Sequence, residues 1–160
     1  MTVVVFAVGN PSRGDDAIGP QLLAELEARA LPDVRLVGDF QLQIEHALDL
    51  DDADLALFID AGTGTPGPFR FYEIAPRANW QVSSHAIAPD AVLQVFADLR
   101  RRPPPPAFVL CVRGEAFELG EGLSAAARQH LDAARRHLES CLAHPDAAQW
   151  RRGGHCEPLA

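Results

Sequence analysis

Four side chains, Asp15, Asp16, Asp60 and His85, are of types that could do chemistry together if the chain folds back on itself. Carboxylates and imidazoles bind borderline divalent cations such as nickel, zinc or cadmium, and two carboxylates with one imidazole leave coordination positions open. A closed structural zinc site would bring more His or Cys. A carboxylate in such a set can also serve as a general base. Each residue has a plainer reading as well. Asp15 or Asp16 could cap a helix starting at Ile18, Asp60 could be an Asx-turn residue at a strand end, and His85, after Ser83 and Ser84, a solvated loop histidine. Spacing alone does not choose between these.

To meet, these residues need strands that end on one rim. VVVFAV (3–8) is a short β-branched and aromatic run, the pattern of a strand buried on both faces, and the glycine-punctuated turn GNPSRGDDAIG (9–19) follows it. Ile18, Leu22, Leu23 and Leu26 recur at helical spacing, with Pro20 in the first turn and Pro32 past the stop. VRLVGDF (34–40) alternates like a strand, IEHALDL (44–50) reads as a short helix, and DLALFIDA (54–61) as a buried strand ending in Asp60. After the turn GTGTPGP (62–68), FRFYEI (69–74) alternates as an edge or antiparallel strand.

Val92, Val95, Phe96 and Leu99 then predict a helix opened by Pro89 and ended by RRRPPPP (100–106), and AFVLCVRG (107–114) is one more core strand. Ser124 caps a last helix with the core face Ala127, Leu131, Ala134, Leu138 and Cys141. From His144 the periodicity fades, so 1–143 reads as a single α/β domain and 144–160 as a flexible tail.

Strands alternating with helices predict a three-layer α/β sandwich: about five strands in a mostly parallel twisted sheet, with helices on both faces. Ligands of such open sheets bind beyond the carboxyl ends of the strands. Asp15, Asp16, Asp60 and His85 share that rim if the first and third strands are neighbours.

Composition narrows the function classes. At 160 residues, 48% apolar and 22% charged, the chain suits one globular domain with no need of disulfides. Its net charge of −8 argues against nucleic acid, which needs a concentrated basic surface. Cys111, Cys141 and Cys156 are scattered and odd in number, which suits a reducing cytoplasm, and no apolar run is long enough for a signal-peptide core or a membrane span. The glycine turn lacks the Lys-Ser/Thr of a P-loop and the third glycine of a dinucleotide fingerprint. There is no Gly-x-Ser-x-Gly elbow, and Cys111 sits mid-strand, so nucleophile chemistry has little support. The Arg-Pro run reads as a solvated linker and His155-Cys156 as part of the tail.

The order of motifs GNPSRGDDAIG (9–19), QLQIEHALDLDDADLALFIDA (41–61), SSHAIAP (83–89) and FELGEGLS (117–124) resembles the hydrogenase maturation proteases, across nearly the whole chain. The resemblance implies an endopeptidase that removes the C-terminal extension of a nickel-loaded [NiFe]-hydrogenase large-subunit precursor. It places a metal-binding and catalytic triad on Asp16, Asp60 and His85. The nickel is implied to arrive with the substrate, zinc or cadmium being possible occupants in vitro, and the free enzyme is expected to be a cytoplasmic monomer. Ser12 and Ala17 depart from the family's common pattern, which more often has a bulky apolar residue and a glycine there. Two rivals stand beside this reading: a non-catalytic module that binds or senses nickel, and an unrelated α/β enzyme whose glycine turn cradles a small carboxylate.

Overall fold

Strands whose residues are apolar on both faces must be covered from both sides, and alternate side chains decide which cover each one meets. In the computed structural model, which describes residues 1–78 and 87–153, five strands form one sheet: β1 (Val3–Val8), β2 (Val34–Asp39), β3 (Leu55–Thr63), β4 (Phe69–Ile74) and β5 (Ala107–Gly114). Their order is β2-β1-β3-β5-β4, with β4 alone antiparallel. Val3, Val5 and Ala7 of β1, with Leu55, Leu57 and Ile59 of β3, pack under α1 (Ile18–Arg29), α3 (Ala125–Ala143) and α4 (Ala147–Gly153). Val4, Phe6, Ala56 and Phe58 point the other way, against α2 (Pro89–Arg100) and the 3-10 segment Ile44–Leu50. The architecture is thus the expected three-layer α/β sandwich. Among the described residues no helix is long and apolar enough to cross a membrane.

The sheet forks where the site lies. From β1 the chain passes to β2 on one side, while β3 lies on the other, so the strand order reverses between β1 and β3. The β1–β3 ladder stops at Ala7 and Ile59, but β3 continues beside β5 as far as Thr63 and Gly114. A crevice therefore opens beside β3 just past Ile59, the place where open α/β sheets take ligands. Asp60 lies within this unaccompanied stretch. The sequence pattern ends the strand at Ala61, because the glycines after it read as turn; pairing with β5 carries the strand through Gly62 and Thr63.

The helices follow their spacing with two corrections. α3 is capped by Ser124, whose hydroxyl accepts the Ala127 N–H at 3.1 Å, and it buries the five residues its spacing marks. α2 is rotated from its expected stripe. Ala91, Val92, Leu93 and Phe96 are buried, while Leu99 is 53% exposed. The segment 144–160, expected to be a loose tail, is helical over Ala147–Gly153. Trp150 anchors it at 2% exposure, its ring edge-on to Phe108 at 5.3 Å and its indole N–H donating to the Cys141 carbonyl at 3.0 Å. One large aromatic in a polar stretch makes no periodic signal, yet burying it is worth about 1.5–3 kcal/mol, enough to hold a short helix. His155 and Cys156 lie outside the described residues.

Candidate functional site

The turn after β1 is built by backbone that only glycine accommodates. Gly9 has φ +147°, and a Cβ there would stand 2.0 Å from the Asp16 carbonyl oxygen; Gly14, at φ +53°, would place one 2.4 Å from the Ala116 carbonyl. Asn10 closes the turn by accepting the Ser12 N–H on its side chain at 2.9 Å and the Arg13 N–H on its carbonyl at 3.1 Å. A 3-10 turn, Gly14–Ala17, then leads into α1, and neither aspartate caps a helix.

The two aspartates take different partners. Asp15 is fully buried, and its carboxylate accepts the N–H groups of Glu115 (2.7 Å), Ala116 (2.9 Å) and Ser124 (2.8 Å) and the Ser124 hydroxyl (2.8 Å). Burial pushes this carboxyl up, but the four donors outweigh it and hold the group below its ordinary value. Asp15 therefore ties the glycine turn to the loop 115–124, a hundred residues away in sequence. Asp16 accepts the Asn10 N–H at 2.7 Å and lines the cleft.

Across that cleft lies Asp60, on the α2 side of β3, since it continues the alternation of Ala56 and Phe58. The neighbourship of β1 and β3 brings Asp16 and Asp60 into one cavity of about 500 Å³. Asp60 opens onto this cavity, but the walls strip much of its hydration, and that desolvation is the main reason its carboxyl is pushed up to about 6. The Ala61 N–H at 2.8 Å opposes the shift, and the negative charge of Asp16 adds to it. Two carboxylates lining one partly dehydrated cleft form a site whose negative charge a cation would relieve. His85 lies outside the described residues. Among the described residues no three His, Cys, Asp or Glu side chains gather as a metal centre. Two of the three proposed ligands are thus together, and both are oxygen donors.

Residues not singled out as partners complete the cavity. Cys111 pairs in register with Asp60, its thiol 3.4 Å from the Thr65 hydroxyl, and burial pushes it up, so it stays protonated. Tyr72 and Arg13 also line the cleft, Arg13 being steadied by a bond from its Nε to the Phe117 carbonyl at 3.2 Å. The period-two alternation of β3 and β5 already puts Cys111 on the face of Asp60; the crossing of β4 beyond β5, which adds Tyr72, has no local signal.

Asp39, at the end of β2, and Glu45 do not line the cleft. Instead Asp39 stands 3.4 Å from Nε2 of the buried His46. His46 Nδ1 accepts the Gln43 N–H at 2.8 Å, which leaves Nε2 as the protonated nitrogen that faces Asp39. This clamp fixes the wall that carries Phe40, Gln41 and Leu42, and the Leu42 carbonyl in turn accepts the Ile87 N–H at 3.2 Å.

No family model matches the sequence, and no curated protein matches it. Solved structures do, and the class they define is the fold of the hydrogenase maturation endopeptidases. The hydrogenase maturating endopeptidase HybD from E. coli superposes with a TM-score of 0.71 at 21% identity, over 91% of this chain and 94% of that one. The [NiFe] hydrogenase maturation protease HycI from Thermococcus kodakarensis gives 0.68 at 21% identity, over 89% and 93%. An endopeptidase from Escherichia coli gives 0.71 at 24% identity, over 91% and 94%. At these identities the likeness establishes a shared fold over almost the full length of both chains.

Proposed function

We propose that this chain is an endopeptidase that removes the C-terminal extension from a nickel-loaded [NiFe]-hydrogenase large-subunit precursor. The observation that carries the reading is the meeting of Asp16 and Asp60, 44 positions apart, as two carboxylates lining one cleft at the fork of the sheet. The shared fold with hydrogenase maturation endopeptidases supports that substrate class.

In this reading the nickel belongs to the substrate. Asp16, on the glycine turn, and Asp60, on the sheet, offer it oxygen ligands; His85 is the third ligand by the motif resemblance. A precursor without nickel makes none of these contacts, so binding distinguishes loaded from empty substrate. Asp16 has the more direct part in hydrolysis. It sits where an extended peptide can approach, takes the proton of the attacking water as the hydroxyl adds to the scissile carbonyl carbon, and gives that proton to the leaving amine as the C–N bond breaks. We place the protein in the cytoplasm as a monomer when free, with zinc or cadmium as alternative occupants in vitro.

The test is intact-mass analysis of purified precursor mixed with this protein, with and without prior nickel loading. The expected result is loss of one C-terminal peptide from the loaded precursor only, and its abolition by Asp16→Asn. If loaded precursors of several hydrogenase classes all keep their full mass, the reading is wrong.

A further inference from the structure

A cleft of about 500 Å³ holds a few residues of an extended peptide, yet the substrate of the proposed reaction is a folded protein. Something outside the cleft must hold its body. Among the described residues, Leu119 and Phe40 are, apart from the terminal Met1, the most exposed large apolar side chains, at 77% and 62%. They are far apart in sequence but bracket the same rim. Phe40 follows β2 and shares a shallow depression with Pro11. Leu119 lies in the loop after β5 and forms a β-bridge to Arg13, while the next N–H, of Gly120, donates to the Ser12 carbonyl at 2.7 Å. The exposed residues Phe40, Pro11, Ser12, Arg13 and Leu119 thus make one strip across the end of the sheet, and its members Phe40 and Arg13 also line the cleft.

The strip is built rather than incidental. Leu119 is carried by the loop that Asp15 pins with four hydrogen bonds, so it is held out to solvent on a fixed backbone at an energetic cost. Its surroundings are acidic. Glu118 and Glu121 beside Leu119 are exposed and without an ion-pair partner among the described residues, and Glu45 is exposed beyond Phe40. A second copy of this chain on the same strip would set these carboxylates against their own kind across a two-fold axis, which argues against a self-dimer.

We infer that this strip, Phe40–Pro11–Ser12–Arg13–Leu119, is the docking surface for the folded body of the precursor, through an apolar patch with basic flanks on the partner. The inference rests on the proposed function and adds where the protein substrate is held while its extension enters the cleft. Leu119 acts in docking and touches no reacting atom. Its loss therefore changes KM and leaves kcat alone.

Steady-state cleavage of nickel-loaded full-length precursor tests this, with KM and kcat read at low and high ionic strength. Leu119→Asp is expected to raise KM about tenfold with kcat within twofold, the scale of a lost interface anchor. Leu119→Met should restore the wild-type KM. The double variant Glu118→Gln/Glu121→Gln keeps the fold's hydrogen bonds and is expected to raise KM about threefold and flatten its rise with salt. If wild type cleaves and Leu119→Asp and the glutamine pair both keep wild-type KM and salt dependence, the docking strip is refuted while the protease reading stands. If wild type cleaves no loaded precursor, both fall.

Discussion

Among the described residues, four donors converge on the carboxylate of Asp15 and a single one on that of Asp16, although the two leave the same turn. The Asp15 side of the turn is closed: its charge is satisfied by backbone N–H groups, its carboxyl is held low, and the loop 115–124 is locked in place. The Asp16 side is open. Its carboxylate shares the cleft with Asp60, which desolvation by the cleft walls and, less, the charge of Asp16 keep high. The comparison separates two uses of the same chemistry. A buried carboxylate with all its acceptors filled contributes stability; one facing another carboxylate contributes little stability and keeps its oxygens for a ligand.

If this division is right, substitutions on the two sides should fail in different assays. The largest effect is expected from Asp16→Asn or Asp60→Asn: cleavage of nickel-loaded precursor falls roughly a hundredfold to ten-thousandfold, with urea midpoints near wild type. An amide at position 16 can still accept the Asn10 N–H, so a large loss of stability in Asp16→Asn would break the comparison. Asp15→Ala should do the reverse. It leaves three backbone N–H groups and a hydroxyl without their acceptor and is expected to cost about 2–4 kcal/mol in urea unfolding. Activity per folded molecule should drop far less than in Asp16→Asn.

The sequence carries the open side of this division better than the closed side. Strand period, the glycine turn and the rim rule bring Asp16 and Asp60 to one place once β1 and β3 are adjacent, and they are. Nothing local distinguishes Asp15 from Asp16, because the partners of Asp15 at 115, 116 and 124 are a hundred residues away and mostly backbone. The α3 stripe is legible because five residues repeat the same environment; α4 is not, because Trp150 alone secures it. The Asp39–His46 clamp is equally silent: a lone histidine inside a short apolar segment is indistinguishable from a core residue until its two neighbours are known.

That clamp provides an intermediate case, a polar pair that is neither fully closed nor on the cleft. His46→Ala removes the acceptor of the Gln43 N–H and the partner of Asp39, and should cost about 1–2 kcal/mol in urea. Because it fixes the Phe40–Leu42 wall, KM for the precursor should rise with little change in kcat. A variant that lost stability with KM unchanged would assign the clamp to the closed side.

The smallest effect is the most discriminating, since the two sides should respond to acid with opposite sign. Asp15 is held below the ordinary carboxyl value of 3.8, so its contribution is fully present above that pH and is lost as pH falls through its folded value. Asp15→Asn should therefore flatten the acid limb of a plot of stability against pH. Asp60 is raised from 3.8 to about 6, so the folded state favours its neutral form. The stabilisation this gives is present below pH 3.8 and is lost as pH rises through 6. With chelator present, Asp60→Asn should match wild type near pH 4 and exceed it at pH 7.5. The gain should stay below about 1 kcal/mol, because one side of the carboxyl faces water. Urea midpoints at the two pH values would check both slopes. If Asp60→Asn were less stable than wild type at pH 7.5, Asp60 would belong with Asp15 among the carboxylates that hold the fold together.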